Sequence, residues 1–398
     1  MFEVLESRRA RLTALVLASS VLLLVAACSS KSPSSTSTTS PSGSNSSSTT
    51  LVAPTPVSVP AWTPPVQATD LMPDASVPKV VSYGSDSNQT LEVFQSSGDA
   101  QGTIVYIHGG AWEGGSMQQN TSAVIQSQEE QERAADLAQL TKLASDGVLN
   151  QLKPQLTTGW DIVSINYRLA TATAGPGIRA TQLMNDVDHA MRYIVANAEA
   201  LDLDLSAFVI SGGSAGGHLV LMEALTAASG QFMDPSLPAS LKKVKLSFDG
   251  VIAMVAPTDL TTLYLVGGPL APPGQEALLG CSLQNPPYTA GMPQCNESVA
   301  NQFSPITYTK DAISKGVTLP PVYFAYGGLD TLVLISTQGM PEINAWAPAS
   351  GPGQTWYDLP PQGTHNIDDN VNDLALDNWL DNVATANWTG PNAKTPTN

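Results

Sequence analysis

Residues 208–217 read FVISGGSAGG, and this stretch decides the fold. Its first half is a short apolar run typical of a buried strand, and a helical pattern follows it. Residues 212–216, GGSAG, match the pattern G-x-S-x-G, which places a serine on a sharp strand-to-helix turn. Glycines avoid the clashes that side chains would cause there, and the helix directs its first amides toward developing negative charge. An ordinary Gly-rich turn is the alternative, but the strand and helix on either side favour Ser214 as a nucleophile.

A second glycine-rich loop, residues 108–112 (HGGAW), follows another buried apolar run. In acyl transfer the substrate carbonyl oxygen becomes an oxyanion, and backbone N–H groups must already point toward it. A pair of glycines lets the main chain approach the substrate without interference from side chains. We therefore predict an oxyanion hole formed by the amides of Gly109, Gly110 and Ala215. His108 is interpreted as a structural residue of this loop, not as the catalytic base.

From residue 75 onward, short β-rich runs alternate with helical patterns, which predicts an α/β fold with a mostly parallel sheet covered by helices on both faces. Six strands are predicted at 103–108, 161–166, 207–211, 251–256, 322–326 and 354–359. Two more, at 79–83 and 91–95, are predicted to form an antiparallel pair at the edge of this eight-stranded sheet. Helices are predicted at 126–146, 181–200, 215–229 and 368–384. The Pro/Gly-rich interval 257–320 is expected to form a partly irregular cap.

Three motifs together resemble the esterase/lipase branch of the α/β-hydrolases related to hormone-sensitive lipase. They are HGGAW at 108–112, NYRLA at 166–170 and GGSAGGH at 212–218, and they are also similar to feruloyl-esterase-like (BD-FAE-type) and polysaccharide-esterase-like members. The resemblance covers residues 78–385. It implies the α/β-hydrolase fold, a Ser-Asp-His triad in chain order, and hydrolysis of carboxylic esters without a metal or other cofactor. The sequence departs from the common pattern at Gly213, where many members carry Asp or another polar residue, and after NYRLA, where Pro-Glu is frequent.

Only four histidines are available to act as the base. His108 belongs to the glycine loop, and His189 lies in a predicted helix upstream of the serine. His218 follows Ser214 by four positions on the next predicted helix, where a structural or pocket-lining role is expected. His365 follows the last predicted strand, where this fold places its base, so we predict that His365 is the catalytic base.

The acid of the triad is expected directly after a strand. The next strand along the chain should then lead to His365. Asp330, in the segment YGGLD at 326–330, has this position. Asp259 is the main competitor, but it follows a strand that comes too early in the chain. Asp368 and Asp369 lie after the histidine and are expected to begin the final helix, because acidic residues favour helix N-termini. We predict that Asp330 is the acid.

Residues 1–28 are predicted to be an export signal. Three arginines lie near its start, and the apolar run 12–27 is shorter than the roughly 20 residues that a membrane-spanning helix needs. Residues 25–28, VAAC, resemble the lipobox of bacterial lipoproteins, which implies that Cys28 carries a lipid. A plain secretory signal cleaved nearby and an uncleaved anchor are the alternatives.

Residues 29–74 are predicted to be a disordered Ser/Thr/Pro-rich linker. A segment of this composition can bury too little apolar surface to offset the conformational entropy that it would lose on folding. The catalytic domain is predicted at 75–390. A lipid at Cys28 would anchor this domain to the outer face of the cytoplasmic membrane in the bacterial cell envelope. In that compartment Cys281 and Cys295 form an even pair in a Pro/Gly-rich loop, so we predict a disulfide between them. Two free thiols are the alternative.

The composition argues against several other functions. The chain has 34 acidic against 17 basic residues, a net charge of −17, so we expect no nucleic-acid partner. The three cysteines form no zinc-ligand pattern with the histidines. The sequence therefore predicts a serine hydrolase that acts on a small-molecule carboxylic ester through an acyl-enzyme. An amidase or peptidase with the same triad, and a non-catalytic envelope lipoprotein on this scaffold, are the alternatives.

Overall fold

Eight strands form one sheet in the computed structural model of the protein, which describes residues 79–96, 100–117, 159–267 and 271–388. In chain order the strands are β1 Lys79–Ser82, β2 Thr90–Phe94, β3 Gly102–Ile107, β4 Trp160–Ile165, β5 Phe208–Gly213, β6 Gly250–Met254, β7 Val322–Ala325 and β8 Thr355–Asp358. Their order across the sheet is β1-β2-β4-β3-β5-β6-β7-β8. The pairs β1–β2 and β2–β4 are antiparallel, and every other pair is parallel. The predicted fold class and the antiparallel edge pair are confirmed.

The central strands are buried on both faces, as their continuous apolar runs predict. Every residue of β3, β4, β5 and β6 is buried. One hydrophobic cluster contains the apolar side chains of two helices, Ala180–Ala196 and Ala215–Thr226. A second cluster contains Trp379 and its neighbours from the helix Asp373–Thr385. The sheet is therefore the middle layer of three.

The described residues contain ten α-helices. They are α1 Ala180–Ala196, α2 Ala198–Leu201, α3 Ala215–Thr226, α4 Ala239–Lys242, α5 Leu260–Val266, α6 Ala271–Leu279, α7 Glu297–Asn301, α8 Pro305–Lys315, α9 Met340–Trp346 and α10 Asp373–Thr385. Short 3₁₀ turns lie at Ala227–Ser229 and Ile367–Asp369, and a π-helical turn lies at Ile335–Gly339. None of the helices in this described part has both the length and the apolar character needed to cross a membrane.

Three predicted helices differ from the structure at their ends. The helix predicted at 215–229 is α-helical only to Thr226 and continues as the 3₁₀ turn Ala227–Ser229. The helix predicted at 181–200 is interrupted at Asn197, whose backbone leaves the helical region with φ −121° and ψ 18°. The helix predicted at 368–384 begins only at Asp373, because the side chain of Asn372 caps it by accepting a hydrogen bond from Ala375 N at 3.1 Å. The helix predicted at 126–146 lies outside the described residues, as do the predicted export signal and linker.

The interval predicted to be a partly irregular cap holds four helices, α5 to α8. Asp259 begins α5 by accepting a hydrogen bond from Thr261 N at 2.9 Å. Pro305 lies in the first turn of α8, where its missing N–H has no cost, and Gly316 ends that helix in a left-handed conformation with φ 65°. The high Pro and Gly content of this region therefore reflects helix starts and ends.

Cys281 and Cys295 are bonded to each other in the structure, with their Cα atoms 5.4 Å apart. Beside this bond, Cys295 N donates to Ser282 O at 2.9 Å, and Ser282 forms an isolated parallel bridge with Gln294. The segment between the cysteines leaves α6 and returns toward α7. The two cysteines thus lie at bonding distance at the two ends of this loop, and the disulfide in the native protein stays a prediction.

A fully buried carboxyl group lies between α8 and α9. Glu342 accepts a hydrogen bond from the Thr309 hydroxyl, and its Oε2 atom has no hydrogen-bond partner among the described residues. Burial raises the pKa of Glu342 to about 8 from its ordinary value of 4.5. The folded protein therefore keeps this carboxyl protonated at neutral pH, whereas the unfolded chain releases the proton.

This difference predicts that the free energy of unfolding falls as the pH rises from about 5 to 8, because only the folded state still holds the proton. Glu342→Gln mimics the protonated acid and should make this fall smaller by the share that Glu342 contributes, while Asp186, Asp188 and Glu223, whose pKa values burial also raises, keep theirs. Above pH 8 the free energy of unfolding of the variant should exceed that of wild type by about 2–5 kcal/mol. Urea unfolding at pH 5, 6.5, 8 and 9 measures both curves. Parallel curves for the two proteins would show that Glu342 does not titrate in this range.

Candidate active site

Ser214 lies on the sharp turn between β5 and α3 that its sequence motif predicts. Its backbone has φ 53° and ψ −121°, a conformation that residues with side chains rarely adopt. Two hydrogen bonds hold the turn: Ser214 N donates to Met254 O at 2.8 Å, and His218 N donates to Ser214 O at 3.0 Å. A Cβ atom on Gly216 would collide with Ile107 O, so only glycine fits between the turn and β3.

Ser214, His365 and Asp330 form one chain of hydrogen bonds. Ser214 Oγ lies 2.9 Å from His365 Nε2, and His365 Nδ1 lies 2.8 Å from Asp330 Oδ2. The Asp330 side chain is fully buried, and its Oδ1 atom accepts hydrogen bonds from the amides of Leu332 at 2.8 Å and Val333 at 2.9 Å. An ionised carboxylate only accepts hydrogen bonds, so Nδ1 carries the imidazole proton and Nε2 can receive the serine proton.

The loops that carry the acid and the base are joined through their backbones. Asp330 follows β7 and His365 follows β8, as predicted. Gly328 N donates to Pro360 O at 3.0 Å, and Leu329 N donates to Gly363 O at 2.7 Å. These bonds keep the carboxylate and the imidazole at a fixed separation.

The competing acids have other roles. Asp259 caps α5, as described above. Asp369 accepts a hydrogen bond from the Thr364 hydroxyl at 2.7 Å. Of the four histidines, all of which lie in the described residues, only His365 hydrogen-bonds to Ser214 Oγ. The structure therefore brings together the three residues that sequence elimination selected.

The other three histidines are buried and neutral. Burial lowers the pKa of His108, His189 and His218 to about 4. The His108 ring stacks on Tyr167 with centroids 4.4 Å apart, and the Tyr167 hydroxyl donates to His108 O at 2.9 Å. His108 thus fixes the glycine loop, which agrees with the structural role expected for it.

Hydrogen bonds hold the carbonyl groups of the glycine loop in place. His108 Nδ1 lies 2.8 Å from Gly109 O, and Gly110 O accepts hydrogen bonds from Glu113 N at 3.1 Å and Gly114 N at 2.9 Å. In a trans peptide the N–H points opposite to the C=O, so the amides of Gly110 and Ala111 point away from these anchored carbonyls. Ala111 lines the cleft together with Ala215. Ala111 is therefore a further candidate donor beside the predicted donors Gly109, Gly110 and Ala215.

The motif points to the glycine pair as the donors of the loop, and it does not indicate Ala111, which carries a side chain. Its backbone has φ 50° and that of Trp112 has φ 64°, so two consecutive residues with side chains are held in the left-handed region. The signal that could have found Ala111 is its position directly after the glycine pair. Ala215, the first residue of α3, has one of the N–H groups that lack a partner within the helix.

The departure at Gly213 has a steric explanation. A Cβ atom on Gly213 would collide with the Ile367 side chain, with Cγ1 at 3.1 Å. Ile367 is fully buried and follows His365 by two positions. Ile367 thus fills the space that a side chain at position 213 would need.

We predict that Gly213→Ala displaces Ile367 and, with it, the loop of His365. Because misplacement by about 1 Å can cost 100-fold, kcat should fall by roughly 10- to 100-fold. Ile367→Val removes only the colliding Cδ1 atom and should lower stability by about 0.5–1.5 kcal/mol. The double variant should recover most of the lost kcat. Steady-state kinetics on the four proteins test this, and equal losses in the single and double variants would contradict the steric explanation.

Ser214 and His365 lie together at a narrow cleft. Most of its wall is apolar and comes from the glycine loop, the α5–α6 region and the segment after Asp330. The lining residues are Ala111, Trp112, Ser214, Ala215, Pro257, Leu263, Ala271, Leu332, Val333 and His365. The region predicted as a cap therefore contributes to the substrate site. Within the described residues, no group of three or more His, Cys, Asp or Glu side chains is arranged to hold a metal ion.

Comparison with known proteins identifies the family and the fold. The sequence model of the BD-FAE family matches residues 138–339, just over half of the chain. Esterase LipC of Mycobacterium tuberculosis is 28% identical over 155 residues, which cover 38% of this chain and 30% of that relative. The chain thus aligns to less than a third of the length of this curated protein.

Two solved structures are similar in fold. A truncated carbohydrate esterase from gut microbiota superposes with a TM-score of 0.54 at 20% identity, covering 79% of this chain and 99% of that one. A bifunctional GH43-CE protein of Bacteroides eggerthii gives a TM-score of 0.53 at 22% identity, covering 79% of this chain and 35% of that one. At these identities the likeness concerns the fold, and it confirms the α/β-hydrolase architecture.

Proposed function

The chain belongs to the BD-FAE family, and we propose that it is a serine carboxylesterase that works through an acyl-enzyme. The observation that carries this proposal is the unbroken chain of hydrogen bonds from Asp330 through His365 to Ser214 at the cleft. The name of its relative Esterase LipC supports ester bonds as the target. The same triad also acts on amides, so amide hydrolysis is the alternative that the experiment must test.

In the first half-reaction Ser214 Oγ attacks the ester carbonyl carbon while His365 Nε2 takes the hydroxyl proton. The carbonyl π electrons move onto the oxygen, and the amides of Ala111 and Ala215 stabilise this oxyanion together with the glycine amides of the loop. Asp330 holds the imidazole in the tautomer that can accept this proton. When the tetrahedral intermediate collapses, the bond to the alcohol oxygen breaks and His365 donates its proton to that oxygen.

In the second half-reaction water takes the place of the alcohol. His365 Nε2 removes a proton from water as its oxygen attacks the acyl carbon. Collapse then breaks the bond to Ser214 Oγ, which regains its proton from His365, and the free acid leaves. The mostly apolar walls of the cleft offer contact to the hydrocarbon part of an acyl group.

The test is a panel of p-nitrophenyl esters of increasing acyl length, with the matching p-nitroanilides. We expect turnover of short and medium acyl esters, and slower or no turnover of the anilides. Ser214→Ala serves as the background control. Ester turnover no faster than this control would refute the proposal, and faster turnover of anilides would assign the protein to the amidases.

We further propose that the protein is a lipoprotein anchored through Cys28. The support is the VAAC sequence at 25–28 and the Ser/Thr/Pro-rich stretch after it, which lie outside the residues described by the structure. In a bacterial host, Cys28→Ala should shift the protein out of the detergent phase or leave it unprocessed, whereas the control Ser29→Ala should behave as wild type. Intact-mass measurement gives the attached lipid directly, and an unmodified wild-type mass would contradict the anchor.

A further inference from the structure

His218 contacts a residue of the oxyanion loop although it lies on α3. Trp112 Nε1 donates a hydrogen bond to His218 Nδ1 at 3.1 Å, and His218 Nε2 lies 2.7 Å from Phe303 O. The rings of Trp112 and His218 meet edge to face, with centroids 5.2 Å apart and an interplanar angle of 87°. Both side chains are buried, so no bulk water competes for these contacts.

The partners fix the protonation of the His218 ring. An indole N–H only donates, so Nδ1 must present its lone pair to Trp112. A carbonyl oxygen only accepts, so Nε2 must carry the proton and donate it to Phe303 O. Burial keeps the ring neutral by lowering the pKa of His218 to about 4. Each nitrogen therefore has one defined partner, and a charged ring would turn a second donor toward the indole.

Trp112 is part of a strained backbone. It follows Ala111, and both residues have positive φ, 64° and 50° respectively. Such conformations persist only where the surroundings hold them. Trp112 O accepts a hydrogen bond from Ala170 N at 2.8 Å, and the indole is held by His218. Without the side-chain contact, Trp112 would keep one of these two anchors.

The position of His218 links the two sides of the oxyanion hole. Its own amide bonds to Ser214 O, so the residue belongs to the turn that presents Ser214 and the Ala215 amide. Its ring bonds to the loop that presents the Ala111 amide. The distance between the Ala215 and Ala111 amides therefore depends on the hydrogen bond between the His218 ring and Trp112.

We infer that His218 is a positioning residue that, through Trp112, holds the oxyanion loop at the correct distance from the nucleophile turn. The inference rests on the proposed esterase function, because the oxyanion hole acts in that reaction. It assigns His218 no proton transfer and no contact with substrate. The expected effect is on kcat, since a misplaced amide weakens the transition state more than the bound ester.

Two substitutions separate the two hydrogen bonds of the ring. His218→Asn places a carbonyl oxygen near the position of Nδ1 and can still accept from Trp112, but it loses the bond to Phe303. His218→Gln places an amide nitrogen near the position of Nε2 and can still donate to Phe303, but it leaves the indole without its acceptor. Both are neutral and polar, so they form a matched pair.

We expect His218→Gln to lower kcat by about 10- to 100-fold with little change in KM, because an oxyanion amide moves. His218→Asn should retain a kcat close to wild type. Trp112→Phe removes the same hydrogen bond from the other side and should lower kcat to a similar extent. In the Trp112→Phe background, His218→Gln should cause no further loss. Thermal unfolding of each variant shows whether it is folded, and Trp112→Phe replaces His218→Gln if the latter does not fold.

The outcomes distinguish this inference from the proposed function. A wild-type protein that turns over no ester refutes the esterase proposal, and the positioning role falls with it. An active wild type with equal kcat in the Asn and Gln variants overturns the positioning role alone. Additive losses from Trp112→Phe and His218→Gln would also overturn it, because the two changes would then act through separate contacts.

Discussion

Replacing Ser214 with alanine is expected to lower kcat on a p-nitrophenyl ester by roughly 10⁴- to 10⁶-fold. The reason is that Ser214 Oγ is, among the described residues, the one side-chain nucleophile that hydrogen-bonds to His365 Nε2, at 2.9 Å. The remaining rate should reflect the oxyanion amides and the cleft, which can still orient a water molecule. Initial rates over a range of ester concentrations, with active protein quantified independently, measure the loss.

Ser211→Ala is the matched control for this substitution. Ser211 lies on β5 three residues before the nucleophile, is fully buried, and its hydroxyl has no hydrogen-bond partner among the described residues. Its removal should leave kcat near wild type. A Ser214→Ala protein that keeps more than a trace of wild-type activity would exclude the assigned nucleophile, whichever way the control behaves.

The second large effect is expected for Asp330→Asn, with a loss in kcat of about 10⁴-fold. Oδ1 of Asp330 accepts hydrogen bonds from the amides of Leu332 and Val333, so an asparagine must keep its oxygen at this position. Its NH₂ group then faces His365 Nδ1, which lies 2.8 Å away in the wild type. The imidazole must accept from that NH₂ group and carry its proton on Nε2, where it can no longer receive the Ser214 proton.

Asp259→Asn tests the competing acid under the same conditions. Asp259 caps α5 through Thr261 N, and asparagine is as good a cap, so its kcat should change little. Ser214→Ala combined with Asp330→Asn should be no slower than Ser214→Ala alone, because members of a triad act as a unit. A large loss in Asp259→Asn together with a small one in Asp330→Asn would reverse the assignment of the acid.

Local patterns in the sequence predict the strands of the sheet, and the resemblance to the α/β-hydrolases then predicts the triad positions at the ends of three of them. Buried parallel strands read as continuous apolar runs, so their existence follows from residues such as 104–107 without knowledge of their neighbours. Ser214, Asp330 and His365 each follow a strand, and parallel strands place their carboxyl ends at one edge of the sheet. Their meeting there is a consequence of topology, which the alternation of strands and helices already predicts.

Features that depend on contacts between distant segments could not be predicted. Gly213 departs from the common pattern, and only the fold shows that Ile367 occupies the space above it. The role of Ala111 depends on carbonyls anchored by His108 and by residues that follow the loop. The interval that holds α5 to α8 is predicted to be partly irregular because it is rich in Pro and Gly. In the structure, residues such as Pro305 and Gly316 lie at the ends of helices.

The most direct test of the account is covalent labelling with an active-site phosphonate, followed by peptide mapping. The reagent mimics the tetrahedral intermediate and reacts only with an activated nucleophile. Wild type should gain one phosphonyl group on Ser214, Asp330→Asn should react far more slowly, and Ser214→Ala should gain none. A phosphonyl group found on another residue of the wild type, or labelling of Ser214→Ala at the wild-type rate, would contradict the assignment of Ser214 as the nucleophile.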